Sequence, residues 1–143
     1  MCQITIKGNP IAQKRHRYKR TSSRIISYDP NSRDKQAFAM QLALAKPKQP
    51  FSVPIVLSVI FHMKRPKKHY RTGKFSNQLK KNSPTAYINK PDIDNLLKFV
   101  MDSGNKILWK DDSVIVGVMA KKKYSEDPRT EIEIWEGDLD ECK

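Results

Sequence analysis

Three stretches in the first half of the chain have the alternating or apolar pattern of β-strands. QITIK at 3–7 alternates, which predicts a first strand with Ile4 and Ile6 facing the core. RIISY at 24–28 is a shorter candidate. VPIVLSVIFHM at 53–63 is apolar almost throughout and rich in β-branched residues, so we expect a central strand buried on both faces.

Two more strands are expected near the C-terminus. SVIVGVMAKKK at 113–123 is apolar on both faces. TEIEIW at 130–135 alternates, and the turn-like SEDPR lies between the two stretches. This arrangement predicts an antiparallel hairpin at the end of the chain.

The first helix is expected within DPNSRDKQAFAMQLALA, residues 29–45, and should end before Pro47. Three polar residues at its start are capping candidates: Asp29, Asn31 and Ser32. Four residues that recur at helical spacing indicate the face that packs inward: Ala37, Met40, Gln41 and Leu44.

The second helix should follow Pro91 and end near Gly104 and Asn105. Its apolar residues form one stripe: Ile93, Leu96, Leu97, Val100 and Met101. Together these elements predict a single α+β domain over residues 1–143. In this domain a mixed β-sheet with an antiparallel C-terminal hairpin is covered by two main helices.

The charge of the chain indicates a polyanionic partner. The net charge is +13, from 28 Lys+Arg against 15 Asp+Glu, and nucleic acid is the first candidate. An anionic membrane is the second, but we find no apolar run near the ~20 residues that span a bilayer and no signal peptide. Cys2 and Cys142 lack a metal-binding spacing, so we expect two reduced thiols in a cytoplasmic protein.

The cations are concentrated in two segments. Residues 14–24 are basic and expected to form a loop, and residues 64–90 hold nine Lys or Arg without an acid and without periodicity. A solvated charged face is the alternative, but the lack of any acid makes a DNA surface the better interpretation. Eleven cations are the candidate DNA contacts: Lys14, Arg15, Arg17, Lys19, Arg20, Lys64, Arg65, Lys67, Lys68, Arg71 and Lys74. Residues 137–143 form an acidic tail that we expect to be flexible.

Aromatic residues are interleaved with these cations. They are Tyr18, Tyr70 and Phe75. Each has two interpretations, because an aromatic ring between cations can stack on an exposed base or pack within its own loop. His62 falls within a strand pattern and is expected to be packed, whereas His16 and His69 would add to the basic segments.

The stretch KPDIDNLLK at 90–98 places two carboxylates, Asp92 and Asp94, at the start of the second helix. Positions two apart differ by about 200° around a helix, so both can bind one ion only if Asp92 lies at or before the cap. Lys98 follows Asp94 by one turn and would place a cation near a phosphate. Two interpretations remain open: an acidic helix cap, or a site for Mg²⁺ or Mn²⁺.

A second acidic pair, Asp111 and Asp112, precedes the strand at 113–123. If that strand begins near the start of the helix, the pair brings a third carboxylate to the first two. Three clustered carboxylates repel one another unless cations neutralise them. A metal held in this way beside DNA-binding cations suits phosphodiester hydrolysis.

The segment KPDIDNLLKFVMDSGN, followed by WKDDSVIVGV, KKKY and TEIEIW, resembles the RusA family of Holliday junction resolvases. The match covers residues ~88–135 with good motif specificity and the N-terminal half more loosely. The family comprises small endodeoxyribonucleases often encoded by phages and prophages. The basic segment at 64–90 is longer here than in the family pattern.

The resemblance implies a homodimer that binds four-way DNA junctions and makes paired nicks with Mg²⁺, for which Mn²⁺ should substitute. Asp92, Asp94 and Asp112 match the family's catalytic, metal-binding aspartates, and Lys98 matches its essential lysine. The secondary candidates are Asn95, Asp102 and Asp111. The alternatives are a nuclease for flaps or other branched DNA, and a non-catalytic nucleic-acid-binding protein.

Overall fold

The computed structural model describes residues 1–137, which fold as a small α+β domain. The strands and helices in chain order are β1 (Cys2–Lys7), β2 (Arg17–Arg20), β3 (Ile25–Tyr28), α1 (Ser32–Ala45), β4 (Ile55–Lys64), α2 (Ile93–Gly104), β5 (Ile115–Ser125) and β6 (Arg129–Glu136). Apart from Gly137, the acidic tail expected at 137–143 lies outside the described residues, as does Cys142.

The main sheet has the order β1-β6-β4-β5. As predicted, β4 is central and almost wholly buried, because Val, Ile, Leu and Phe occupy both of its faces. It pairs parallel with β5 and antiparallel with β6. Strand β1 pairs antiparallel with β6 and buries Ile4 and Ile6, as expected.

The two C-terminal strands run in opposite directions, as predicted, but they are not hydrogen-bonded to each other. Strand β4 lies between β5 and β6, which corrects the expected hairpin. The link between them, residues 126–128, therefore crosses the end of β4. This crossing spans about 10 Å, twice the distance between neighbouring strands, and three extended residues reach that far.

Helix α1 buries a different face from the one its sequence pattern indicated. Phe38 and Leu42 are buried, and the Phe38 ring packs edge-on against Phe99 of α2 with centroids 5.4 Å apart. The four residues expected to face inward are all exposed: Ala37, Met40, Gln41 and Leu44. Two apolar stripes at helical spacing compete in this sequence, and the one with the large aromatic ring packs inward.

The capping prediction for α1 is also corrected. Asn31 occupies the N-cap position, but its side chain makes no capping hydrogen bond. Its Oδ1 instead accepts from the backbone N–H of Lys14, at 2.6 Å. Asp29 Oδ1 accepts from the N–H of Asn31 at 2.9 Å, so these polar residues hold the preceding loop rather than the helix end.

Helix α2 begins and ends where the sequence indicated. It buries Leu96, Phe99 and Val100, and Ile93, Leu97 and Met101 are partly buried beside them. Its last residue, Gly104, lies against the indole of Trp109, and a Cβ at this position would come within 2.7 Å of the ring. The absence of a side chain therefore lets the turn after α2 pack against the helix end.

The basic segment at 14–24 is not simply a loop. Residues of β2 pair antiparallel with β3 to form a separate two-stranded ribbon, and all eight strand residues are exposed. We call residues 14–28 the basic arm. The prediction missed β2 because RYKR has no apolar alternation. No helix among the described residues is both long and apolar enough to cross a membrane.

The observed orientation of α1 makes a matched pair of substitutions informative. Leu42 is 0% exposed and Leu44 is 91% exposed, although they lie two residues apart in the same helix. We expect Leu42→Ala to lower the free energy of unfolding by about 2–5 kcal/mol, because it leaves a cavity. Leu44→Ala should change it by no more than about 0.5 kcal/mol. Urea denaturation measures both, and equal losses would contradict this orientation.

Candidate functional site

The first turn of α2 presents two carboxylates to solvent. Asp92 is the N-cap residue, with extended backbone angles of φ −72° and ψ 149°, and Asp94 lies in the first helical turn. Both are exposed, as is Lys98 one turn later. The predicted placement of Asp92 at the cap and Asp94 inside the helix is confirmed.

The local electrostatics keep Asp92 ionised. Lys90 Nζ donates to Asp92 Oδ2 at 2.9 Å, and this hydrogen bond lowers the pKa of the Asp92 carboxyl. Desolvation raises the pKa by less than this hydrogen bond lowers it, and the charges of Lys90 and Lys122 lower it further. An ionised, exposed carboxylate has the donor oxygens that Mg²⁺ prefers.

Lys122 fixes this end of α2 against the sheet. Its Nζ donates to the backbone oxygens of Asn89 and Pro91, each at 2.8 Å. Lys122 lies near the C-terminal end of β5, so Asp92 and Asp94 are positioned at that end of the strand. The sequence pattern did not identify Lys122, although it stands in the KKKY segment.

The second acidic pair lies beside the other end of α2. The Nε1–H of Trp109 donates to Asp112 Oδ1 at 2.7 Å, and the Trp109 ring is the one that contacts Gly104. Asp111 caps a one-turn 3₁₀ helix, Asp112–Val114, by accepting from the N–H of Ser113. This hydrogen bonding lowers the pKa of Asp111.

The length of α2 therefore separates the acidic residues within one chain. A helix of 12 residues is about 18 Å long at 1.5 Å per residue. Within residues 1–137, no three His, Cys, Asp or Glu side chains lie close enough together to hold a metal ion. The expectation that Asp112 reaches Asp92 and Asp94 within the same chain is wrong, because β5 begins at the opposite end of α2.

The secondary candidates Asp102 and Asn95 attach other segments to α2. Lys35 of α1 lies 3.2 Å from Asp102 and 2.7 Å from Asp29. The backbone oxygen of Asn95 accepts from the N–H of Gln13 at 2.9 Å. The Asn95 contact fixes the start of the basic arm beside the first turn of α2, and the Lys35 contacts join α1 to its last turn.

The five cations predicted in the basic arm are all exposed: Lys14, Arg15, Arg17, Lys19 and Arg20. None of them forms a salt bridge with another described residue. The residue before the arm, Gln13, contacts Asn95, and Lys14 contacts Asn31, which places the start of the arm next to Asp94. Unpaired cations beside exposed carboxylates suit a surface that approaches a phosphate backbone.

The second basic segment approaches the same end of α2. We call residues 66–84 the finger. It leaves the end of β4 and returns through residues 85–87, which run along the end of β5, where the N–H of Tyr124 donates to Thr85 O at 2.9 Å. The chain then continues to Asp92. Of the six candidate cations in and beside the finger, Lys64, Lys67, Lys68, Arg71 and Lys74 are exposed and Arg65 is partly buried.

The histidines differ in their environments. His62 is packed as predicted, 2% exposed, with its Nε2 3.2 Å from Glu131 Oε2. His16 is exposed on the basic arm. His69 is buried against Tyr124, with ring centroids 4.7 Å apart, so its predicted role as an added surface cation is wrong. Burial, together with the charges of nearby Arg and Lys residues, lowers the pKa of His69.

Comparison with known proteins finds similarity over almost the whole chain. The chain matches the family model described as Endodeoxyribonuclease RusA over residues 7–135. It is 34% identical over 131 residues to the crossover junction endodeoxyribonuclease rusA of Lactococcus phage r1t, covering 89% of this chain and 90% of the relative. It is 32% identical over 138 residues to the uncharacterized protein YqaN of Bacillus subtilis strain 168, covering 94% and 95%.

The contacts of Asp29 predict a pH dependence of stability. Burial would raise its pKa, but hydrogen bonds from Lys35, the N–H of Asn31 and Gln13 outweigh that effect and lower it from 3.8 to about 2. A lowered folded-state pKa stabilises the protein above pH ~4, and this contribution is lost as the pH falls towards 2. We therefore expect Asp29→Asn to cost about 1–2 kcal/mol at pH 5.

This difference between the wild type and Asp29→Asn should narrow steadily as the pH is lowered from 5 to 2. Urea denaturation of both proteins at each pH measures it, and the effects of the other carboxyl groups cancel in the comparison. A difference that stays constant across this range would show that the Lys35–Asp29 contact contributes no pH-dependent stability.

Proposed function

This chain belongs to the RusA family of endodeoxyribonucleases, which resolve Holliday junctions, and we propose that it does so by paired nicks in a Mg²⁺-dependent reaction. Its setting would be the cytoplasm of a bacterium or a phage-infected cell. The observation that carries the proposal is the exposed first turn of α2. Asp92 and Asp94 lie there, with Lys98 one turn later, and both cationic segments, the basic arm and the finger, connect to this end of the helix.

The cations and the carboxylates would have different roles in the reaction. Cations of the arm and the finger would hold the phosphate backbone, since they have no acidic partners among residues 1–137. Lys98 would stabilise charge on the phosphate being cut. The two aspartates repel a phosphate on their own, so they need a cation between themselves and the DNA.

The third carboxylate would come from a second copy of the chain. Asp112 lies at the start of β5, whereas Asp92 and Asp94 lie beside its far end. A two-fold axis across the β5 edge reverses the direction of the partner strand. The partner's Asp112 would then approach Asp92 and Asp94, and each copy would complete the other's site.

The free edge of β5 supports such a pairing. Among residues 1–137, only residues 85–87 pair with this edge, near Lys122, Lys123 and Tyr124, which leaves its earlier part open to the described chain. Three apolar side chains on this part are between 39% and 50% exposed: Val116, Val118 and Met119. Antiparallel pairing centred on Val118 places position 112 of one copy opposite position 124 of the other. Tyr124 in turn lies at the end of β5 that contacts the segment leading to Asp92.

A homodimer built in this way also fits the geometry of the substrate. A four-way junction is resolved when two strands are cut symmetrically, and a two-fold dimer carries two identical sites. Asp92, Asp94 and the partner's Asp112 offer only carboxylate oxygens, the donors that suit Mg²⁺, and Mn²⁺ should substitute. Mg²⁺ bound there would activate water and offset negative charge on the phosphate.

Cleavage assays on three substrates test this proposal. The full chain is incubated with a synthetic four-way junction, a flap and a linear duplex, each with and without Mg²⁺. We expect symmetric cuts in the junction only when Mg²⁺ is present. Preferred cutting of the flap would indicate a nuclease for other branched DNA, and metal-independent binding without cuts would indicate a non-catalytic protein.

A pair of matched variants tests the role assigned to Asp94. Asp94 and Asp34 are both exposed and both lie in the first turn of a helix, α2 and α1 respectively. Asp94→Asn should slow junction cutting by about 10²–10³-fold while junction binding is retained. Asp34→Asn should cut at the normal rate. Normal cutting by Asp94→Asn would contradict the proposed site.

A further inference from the structure

The finger, residues 66–84, is built on a packed base. The Tyr124 ring packs at 83° to the His69 ring, and the Arg65 guanidinium lies 5.2 Å from its centroid. Arg65 Nη1 donates to Pro84 O at 2.7 Å, which joins the two ends of the finger. The hydroxyl of Ser83 donates to His69 O, also at 2.7 Å. These contacts give the finger a defined direction.

The tip of the finger holds one aromatic ring between cations. The N–H of Arg71 donates to Gln78 O at 2.8 Å, and Arg71 Nη1 donates to Gln78 Oε1 at 2.9 Å. The Arg71 guanidinium then lies 4.2 Å from the centroid of Phe75, and Lys74 Nζ lies 5.2 Å from it. Gly73, with φ 67°, makes the tight turn that places Phe75 there.

Residues on both sides of Phe75 in the chain line an open concavity. Its lining combines cations and hydroxyl groups: Lys67, Tyr70, Arg71, Thr72, Gly73 and Ser76. Its volume is about 520 Å³. Residues 64–91 contain no Asp or Glu, so nothing in the finger itself repels an anion. A cation-lined concavity whose lining includes Arg71, the contact of Phe75, suits a nucleotide whose base is unstacked. The ring can stack on the base while the cations bind the phosphates.

Tyr124 contacts both the finger and the segment that leads from the finger to Asp92. Tyr87, between the finger and α2, packs on Tyr124 with ring centroids 5.0 Å apart. The Asn89 side chain donates to the Tyr124 hydroxyl at 3.1 Å. Asn89 is also bonded by Lys122, which holds the residue before Asp92. A DNA strand bound by the finger would therefore lead directly to Asp92 and Asp94.

We propose that the finger recognises the branch point of the junction. Phe75 stacks on a base whose stacking is interrupted at the crossover, and Lys67, Arg71 and Lys74 hold the adjacent phosphates. A linear duplex offers no such base, because its bases are stacked on both faces. The finger thus supplies preference for branched over linear DNA, an inference that rests on the proposed function.

Photocrosslinking tests this contact directly. A four-way junction carries 5-iodouracil at one position beside the branch point, and a second junction carries it in the middle of a duplex arm. The full chain is bound without Mg²⁺, so the DNA stays intact, and crosslinked residues are identified by mass spectrometry. We expect a crosslink to Phe75 only with the branch-point probe. A crosslink to Phe75 from the arm probe, or branch-point crosslinks confined to Tyr18, would overturn the proposal.

Two variants extend this test to affinity. Phe75 and Leu79 are similarly exposed, at 37% and 39%, and both belong to the finger. Phe75→Ala should lower the ratio of junction affinity to duplex affinity about tenfold, whereas Leu79→Ala should leave it within about twofold. An unchanged ratio in Phe75→Ala would also overturn the proposal. A wild-type protein that cuts no junction with Mg²⁺ would instead contradict the proposed function.

Discussion

The parallel pairing of β4 with β5 determines where the candidate acidic residues and the finger lie. Parallel neighbours need a crossover, and here the crossover consists of the finger and α2. The helix returns antiparallel to both strands. Its first turn therefore meets the end of β5, whereas Asp112 is left at the beginning of β5. The division of the acidic residues between two ends of one helix follows from this topology.

The sequence was most informative where local chemistry determines local structure. The bounds of α2 were predicted correctly from Pro91, the apolar stripe and Gly104. The two-residue spacing correctly predicted Asp92 at the cap of this helix and Asp94 within it. The long apolar run of β4 identified the central strand. The family resemblance, which rests on motifs around these residues, agrees with the match over residues 7–135.

Predictions that depended on tertiary pairing were less successful. Adjacent strands joined by a short turn usually form a hairpin, but the more apolar β4 occupies the position between β5 and β6. The buried face of α1 depends on the contact of Phe38 with Phe99, a residue of another helix. The position of Asp112 depends on the order of the strands in the sheet. Its distance from Asp94 in space therefore could not be predicted from their separation along the sequence. The burial of His69 likewise depends on Tyr124, far away in the sequence.

The central claim is that each site combines Asp92 and Asp94 of one copy with Asp112 of the other, and mixing inactive variants tests it most directly. Asp94→Asn and Asp112→Asn proteins are allowed to exchange subunits and are then assayed on a four-way junction with Mg²⁺. A heterodimer of these two variants retains one intact site, so the mixture should recover nicking that neither protein shows alone. A mixture of Asp92→Asn with Asp94→Asn has a defect in every site and should stay inactive. If the first mixture also stays inactive although heterodimers have formed, the shared site is contradicted.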